Sequence, residues 1–196
     1  MRNHNRGYLK EQDHLEALQD LLENVFIEPS LCEKLYKRSL FEGLSEKMDC
    51  SIRNNEDMLM NYYLFRKAES AVYEDVDPYH YRIREKSASR GNLSEHAVFD
   101  PIKVRKIILK DCPPALLPAA RESLVWTTLF SYRCLVWSGE DRQADLGKLR
   151  RELQGQKQYR KDLKRKTALQ LDLIGSAPRL YDRLLKLAGK RMGGKV

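Results

Sequence analysis

The chain has 196 residues, with 42% hydrophobic and 33% charged residues and a formal net charge of +8. This much apolar content excludes a disordered chain. No apolar run approaches the roughly 20 residues that span a bilayer, and the first residues lack the apolar stretch of a secretory signal. Four widely spaced cysteines without a C-x-x-C pair argue against a disulfide scaffold or a zinc ribbon, so we expect a reduced, cytoplasmic protein.

Charge is distributed unevenly along the chain. Residues 1–100 hold 14 Lys/Arg and 19 Asp/Glu, a balance of −5, whereas residues 101–196 hold 22 and 9, a balance of +13. Such a basic second half predicts contact with phosphate groups, a lipid surface or nucleic acid. A solvated face of basic helices remains the alternative.

The first elements in chain order are helical. Apolar residues at helical spacing predict a helix over Leu9–Phe26, stopped at Pro29, and a brief helix follows at Ser39–Leu44. Another helix begins after Asn54 or Asn55, either of which can cap it, with two acidic residues in its first turn.

Extended segments come next, and helices fill the rest of the chain. Ser70–Val76 has the alternation of a strand, Pro78 ends it, and the sequence YHYRIR indicates a second extended piece before a small, polar loop at Ser87–Asn92. Further helices are predicted near 101–111, 115–137, 141–165 and 177–191. Two or three strands are too few to cover their own edges, so they should pair with another copy or with a part absent from this chain.

Glu56 and Asp57 are the first candidates for chemistry. The exposed amides and the dipole at a helix N-terminus favour an ionised, oriented carboxylate, which is what a general base requires. Acidic residues in a first turn are also ordinary helix starts, and that alternative stays open.

Two other motifs suggest phosphate or metal chemistry. Asp75 and Asp77 form a D-x-D string that could chelate a divalent cation, although a strand end before Pro78 explains it as well. Arg82, Arg84 and Lys86 alternate along an extended segment, so one face would present three cations suited to a diphosphate. A polar strand face is the alternative, and no glycine-rich phosphate loop is present.

Together these segments resemble a known family. KLYKRSLFEGL, followed by NNEDMLMNYYLFRKAESAVYEDVDPYHYRIREKSASR, is similar in order and spacing to the carboxyl-terminal half of glycosyltransferase family 2 enzymes. These are inverting transferases with a GT-A fold that use nucleotide-diphosphate sugars, here of the bacterial cell-surface polysaccharide type. The resemblance implies a mostly helical α+β chain, with a partial GT-A half at residues 1–98 and a basic helical extension at 99–196.

The resemblance also implies roles for particular residues. Asp57 matches the base that takes a proton from the acceptor hydroxyl, and Glu56 is its partner in orienting the acceptor. Arg82, Arg84 and Lys86 match the basic strand beside the leaving diphosphate. Ser87, Ser89 and Arg90 belong to a flexible segment that could close over the donor and exclude water.

The chain departs from the family in what it lacks. The donor-binding half, with the D-x-D that holds Mg²⁺ or Mn²⁺ beside the nucleotide sugar, is not in this sequence, and we predict no metal ligand here. Cys32 and Glu33 stand where a Trp-Asn pair is common. The implied partners are a nucleotide sugar, a glycan acceptor, and either the missing donor half or a second copy. Without the donor half, no measurable transfer is expected from the chain alone.

The alternative function is a non-catalytic interaction module. Cations of Arg150–Lys166 would bind an anionic membrane surface or a partner enzyme, placing the protein on the inner face of the membrane. Four leucines of the last helix could enter the interface: Leu180, Leu184, Leu185 and Leu187. Nucleic acid is not favoured, since only Tyr159 and Tyr181 interleave these cations and no helix-turn-helix pattern appears.

Overall fold

The computed structural model describes residues 7–76, 79 and 93–191, which form a mostly helical α+β structure. Two strands pair with each other, β1 (Leu9–Asp13) and β2 (Ser70–Glu74). The helices are α1 (His14–Glu23), α2 (Glu56–Lys67), α3 (Glu95–Asp111), α4 (Leu117–Ser138), α5 (Gln143–Gln156), α6 (Arg165–Ser176) and α7 (Pro178–Arg191). Short 3-10 helices lie at Arg38–Phe41, Ser45–Lys47, Pro114–Leu116 and Lys157–Asp162.

The first helix begins later than the sequence predicted. Leu9 to Asp13 form a strand that pairs antiparallel with β2, so the prediction of a helix from Leu9 was wrong for these residues. Asp13 has an extended backbone, and its side chain accepts hydrogen bonds from the amides of Leu15 and Glu16. The Glu16 side chain accepts in return from the Asp13 amide, and this reciprocal capping box fixes the start of α1 at His14.

The predicted start of α2 is confirmed, but its cap differs. Asn55 precedes the helix with a left-handed backbone, φ +66°, and its side chain makes no capping hydrogen bond to α2. Its Oδ1 atom instead accepts a hydrogen bond of 2.6 Å from the guanidinium of Arg105 on α3. The helix start is therefore held by the second half of the chain.

The predicted single helix over 141–165 is also wrong. α5 ends at Gln156, a 3-10 segment follows, and α6 begins at Arg165. The buried carboxylate of Glu122 on α4 accepts from the Lys164 amide at 2.9 Å and from the Thr167 hydroxyl at 2.5 Å. This contact across helices fixes the start of α6, and no local sequence pattern reveals it.

Two clusters of buried side chains form the core of the described residues. The first gathers residues of α1 and α2 against Val104, Ile108 and Ala120 of α3 and α4. The second lies among α3 to α7 and includes Leu129 and Leu171. α3 and α4 therefore contribute to both clusters, and the predicted division at 98/99 falls within α3.

Candidate functional site

Asp57 lies where α2 meets the loop over residues 29–36. Its side chain is half-buried in the first turn of α2, and Oδ2 accepts a hydrogen bond of 3.3 Å from the Leu31 amide. Glu56, in the same turn, is exposed. The two predicted catalytic carboxylates therefore differ, because one is oriented by the loop and the other extends into solvent.

Asn61 joins this loop to α2 one turn beyond Asp57. The side chain is completely buried, and its Nδ2 group donates to the carbonyl oxygens of Pro29 at 2.8 Å and Asp57 at 2.9 Å. Its Oδ1 atom accepts from the Tyr36 hydroxyl. A buried amide with partners on both atoms fixes the distance between the loop and the helix.

Other loop side chains give the Asp57 carboxylate a mixed electrostatic environment. Burial lowers the pKa of Lys34, against the opposing effect of nearby acidic groups that include Glu33 and Asp57. Burial and then the Asp57 charge raise the pKa of Tyr36, so its hydroxyl stays protonated. A cation and a neutral hydroxyl donor thus lie close to the candidate base.

Tyr79, which follows β2 in the chain, contacts the same loop. Hydrogen bonds with the side chains of Ser30 and then Tyr79 lower the pKa of the exposed Cys32 thiol. Tyr79 belongs to the YHYRIR sequence, and Cys32 lies two residues before KLYKR. The loop is therefore adjacent both to α2 and to Tyr79.

Side chains of α3 hold the segment over residues 53–55, which directly precedes α2. The Asp100 carboxylate accepts from the amides of Arg53 at 2.8 Å and Asn54 at 3.2 Å, and it lies 2.9 Å from Nδ1 of His96. Arg105 donates to Asn55 and to the Ser123 hydroxyl, and burial lowers its pKa to about 10. The start of α2 is thus held by charged groups of α3.

The remaining predicted site residues separate into two groups. Arg82, Arg84, Lys86, Ser87, Ser89 and Arg90 lie outside the described residues, as does Asp77. Asp75 is buried and accepts a 3.1 Å hydrogen bond from the Tyr73 hydroxyl. Within residues 7–76, 79 and 93–191, no group of three His, Cys, Asp or Glu side chains could hold a metal ion. These residues therefore offer no fit for Mg²⁺ or Mn²⁺, and no step is derived through a metal.

Sequence reasoning missed the side chains that hold the candidate base. Asn61 follows Asp57 by four residues, so the helical period alone puts both on one face of α2. That spacing was the available signal for Asn61. Nothing local indicates Asp100, which lies 47 residues after the Arg53 amide that it binds.

The basic half is more extensively paired than its composition suggests. Arg150 forms an ion pair with Asp182 at 2.7 Å, Arg160 pairs with Asp172 at 2.8 Å, and Lys164 reaches Glu23 at 2.7 Å. Of the leucines predicted to face a membrane, Leu185 is instead buried in the second cluster. The other three, Leu180, Leu184 and Leu187, are exposed.

The chain was compared with protein-family models, with curated proteins and with solved structures, and none of them matches it. Over the part of the chain that the structure describes, no helix is both long and apolar enough to cross a membrane.

Proposed function

We propose that this chain carries the acceptor and catalytic-base side of an inverting, family 2-like glycosyltransferase. The observation that carries the proposal is that the 29–36 loop contacts both other segments: Leu31 binds Asp57 in the first turn of α2, and Cys32 interacts with Tyr79 after β2. These are the segments in which the sequence resemblance lies. Unrelated helix starts and loops have no need to lie side by side around one loop.

The proposed reaction moves one proton and exchanges one bond. The Asp57 carboxylate takes the proton from an acceptor hydroxyl as that oxygen bonds to the anomeric carbon of the donor sugar. The bond from this carbon to the nucleoside diphosphate breaks on the opposite face, and the diphosphate leaves with the electron pair. Configuration inverts because attack and departure occur on opposite faces.

The residues around Asp57 have complementary tasks in this proposal. The Leu31 amide and the hydrogen bonds of the Asn61 side chain fix the orientation of the Asp57 carboxylate. Orientation is a large part of general-base catalysis. Exposed Glu56 and half-buried Lys34 border the same turn and loop, and both offer hydrogen bonds to sugar hydroxyls. The donor would bind to a donor-binding half that lies outside these 196 residues.

The test supplies that missing half. The chain is fused behind the donor-binding half of a family 2 enzyme, and transfer is measured with a panel of nucleotide-diphosphate sugars and glycan acceptors. Asp57→Asn should lower the rate about 100- to 10,000-fold, the usual contribution of a general base. Glu46→Gln, which neutralises an exposed carboxylate of the Ser45–Lys47 helix, serves as the matched control and should leave transfer unchanged.

Two results would count against the proposal. An Asp57→Asn fusion as active as its parent removes the base from position 57. Robust turnover by the unfused chain contradicts the half-enzyme interpretation, because the chain would then bind a donor without the other half.

A further inference from the structure

Helices α4 and α6 share an exposed aromatic and basic surface that no part of the proposed function uses. We call it the α4–α6 face; it consists of Trp126, Phe130, Arg133, Arg165, Lys166, Leu169 and Gln170. The first three follow each other at i, i+4 and i+7 on α4, so they share one side of that helix. Trp126 is 48% exposed, Phe130 44% and Leu169 56%, which are large values for such apolar side chains.

The cations of this face line a shallow, open groove between the two helices. Arg133 lies on the α4 side, Arg165 and Lys166 lie on the α6 side, and Leu169 is an apolar lining residue, also on α6. Among the described residues, no acidic side chain lines the groove. Its local charge is therefore uniformly positive, which favours an anionic partner.

These three cations differ from the rest of the basic half. Arg150, Arg160 and Lys164 form ion pairs with acidic side chains. Among the described residues, Arg133, Arg165 and Lys166 form none. Arg133 instead lies over the rings of Trp126 and Phe130, 5.8 Å and 5.7 Å from their centroids. Cations without an ion-pair partner in the described part of the chain are available to an external anion.

Ring geometry distinguishes between anionic partners. Trp126 and Phe130 stack on each other at 5.3 Å with an interplanar angle of 9°, and the Arg133 guanidinium lies beside the stack, 5.8 Å and 5.7 Å from the two ring centroids. Single-stranded nucleic acid binds by stacking bases on free ring faces, and here one face of each ring is already occupied by the other ring. Ring edges beside leucine and cationic side chains suit the boundary between lipid headgroups and acyl chains.

A third helix borders the groove. On α7, the Tyr181 hydroxyl donates a hydrogen bond of 3.0 Å to the Gln170 side chain, and it also interacts electrostatically with Arg133. Leu180 precedes Tyr181 and Leu184 follows it by one turn, and both side chains are about half exposed. The exposed Leu180 and Leu184 side chains therefore belong to a helix that adjoins the groove.

We propose that the α4–α6 face docks the protein on an anionic membrane surface. Arg133, Arg165 and Lys166 bind lipid phosphates, while the edges of Trp126 and Phe130 and the Leu169 side chain enter the headgroup boundary. This inference does not depend on the proposed glycosyl transfer, because none of its residues belongs to the Asp57 site.

Vesicle flotation with the full chain tests the proposal. The chain should float with vesicles of phosphatidylcholine mixed with phosphatidylglycerol and should stay in solution with phosphatidylcholine alone. Added salt should weaken the binding, since the cations act through screened charge. Equal partitioning between the two vesicle types, or binding that salt does not change, overturns the proposal.

Two double variants locate the contact. Arg165→Gln with Lys166→Gln should weaken binding about 30-fold, which corresponds to about 1 kcal/mol for each juxtamembrane cation. Trp126→Ala with Phe130→Ala should weaken it through lost apolar contact. Lys47→Gln with Lys110→Gln removes the same charge from exposed positions near the first cluster and should bind like wild type.

A spectroscopic readout separates docking from loss of folding. The chain has two tryptophans, and Trp126 is the one in the face, so vesicles should shift its emission to shorter wavelength. Trp126→Phe keeps an apolar ring and should retain binding while losing the shift. Retained binding by either double variant of the face overturns the proposal. Loss of single-stranded RNA binding in those variants, with vesicle binding intact, assigns the face to nucleic acid and overturns it as well.

Discussion

Asn61 shows how one buried polar side chain determines the geometry of the candidate site. Its amide is fully enclosed, and the carbonyl oxygens of Pro29 and Asp57 and the hydroxyl of Tyr36 supply its partners. Replacing this side chain leaves those half-buried groups without this partner, which costs more than the hydrogen bonds themselves contribute. Apolar packing cannot substitute for such contacts, because an apolar side chain offers no hydrogen bond to these groups.

Asn61→Ala should therefore lower the free energy of unfolding by about 3 kcal/mol, the sum expected for the loss of several hydrogen bonds to half-buried groups. Denaturant unfolding of the purified chain measures the change. Asn54→Ala alters an exposed side chain shortly before α2 and should stay within about 0.5 kcal/mol of wild type. A similar loss in both variants would contradict the role given to Asn61.

The buried Tyr132 hydroxyl should make the free energy of unfolding decrease at alkaline pH. It is fully buried and donates to Asp182 at 2.6 Å; burial, and then this hydrogen bond, raise its pKa. The unfolded chain loses the same proton near pH 10. The contribution of the Tyr132 hydroxyl to the free energy of unfolding is therefore complete below pH 10 and declines above it. Stability should fall by about 1.4 kcal/mol per pH unit on account of this group.

Tyr132→Phe removes the titrating hydroxyl, so the decline of stability above pH 10 should be shallower in this variant than in wild type. Unfolding midpoints from pH 8 to pH 11 give the slopes. Parallel alkaline slopes for the two proteins would show that Tyr132 ionises alike in the folded and unfolded states.

At the scale of elements, α3 controls how α2 begins. Asp100 binds two amides of the segment before α2, and Arg105 holds Asn55 in its left-handed conformation. The catalytic carboxylates proposed at the start of α2 therefore depend on α3. This is a contact between elements that lie about 47 residues apart along the chain.

Asp100→Ala should destabilise the fold by about 2 kcal/mol, since two backbone donors lose a charged acceptor. The amides of Arg53 and Asn54 should also exchange hydrogen much faster, and exchange measured by NMR reports this directly. Asp141→Ala removes an exposed carboxylate and should change neither quantity. Unchanged exchange at Arg53 and Asn54 would contradict the coupling of α3 to α2.

Local patterns predicted the elements whose causes are local. The acidic first turn located α2, alternation located β2, and the helix predicted near 115–137 corresponds to α4. Where a distant partner determines the structure, the sequence predictions failed. Pairing with β2 makes residues 9–13 a strand, and Glu122 separates α5 from α6. The same distinction applies to the candidate site. The place of Asp57 in the first turn of α2 could be predicted from the local sequence, whereas the hydrogen bond that it accepts from the Leu31 amide could not.

At the scale of the whole molecule, the two buried clusters differ in which parts of the chain supply their side chains. Of the first cluster, five members come from beyond residue 98: Val104, Ile108, Cys112, Leu116 and Ala120. The buried members of the second cluster all lie between Val98 and Leu185. The first 98 residues thus depend on the later helices for their core, while the reverse dependence is weaker.

Separate fragments should behave accordingly. Residues 1–98 alone lack a third of their cluster, and each missing large side chain removes on the order of 2–5 kcal/mol, so this fragment should be unfolded by NMR and circular dichroism. Residues 93–191 retain the whole second cluster and should stay helical and unfold cooperatively. A dispersed, cooperatively folded spectrum for 1–98 would show instead that the front half forms its own core. In that case the predicted boundary at 98/99 would separate two folding units, and α3 would merely pack against the first of them.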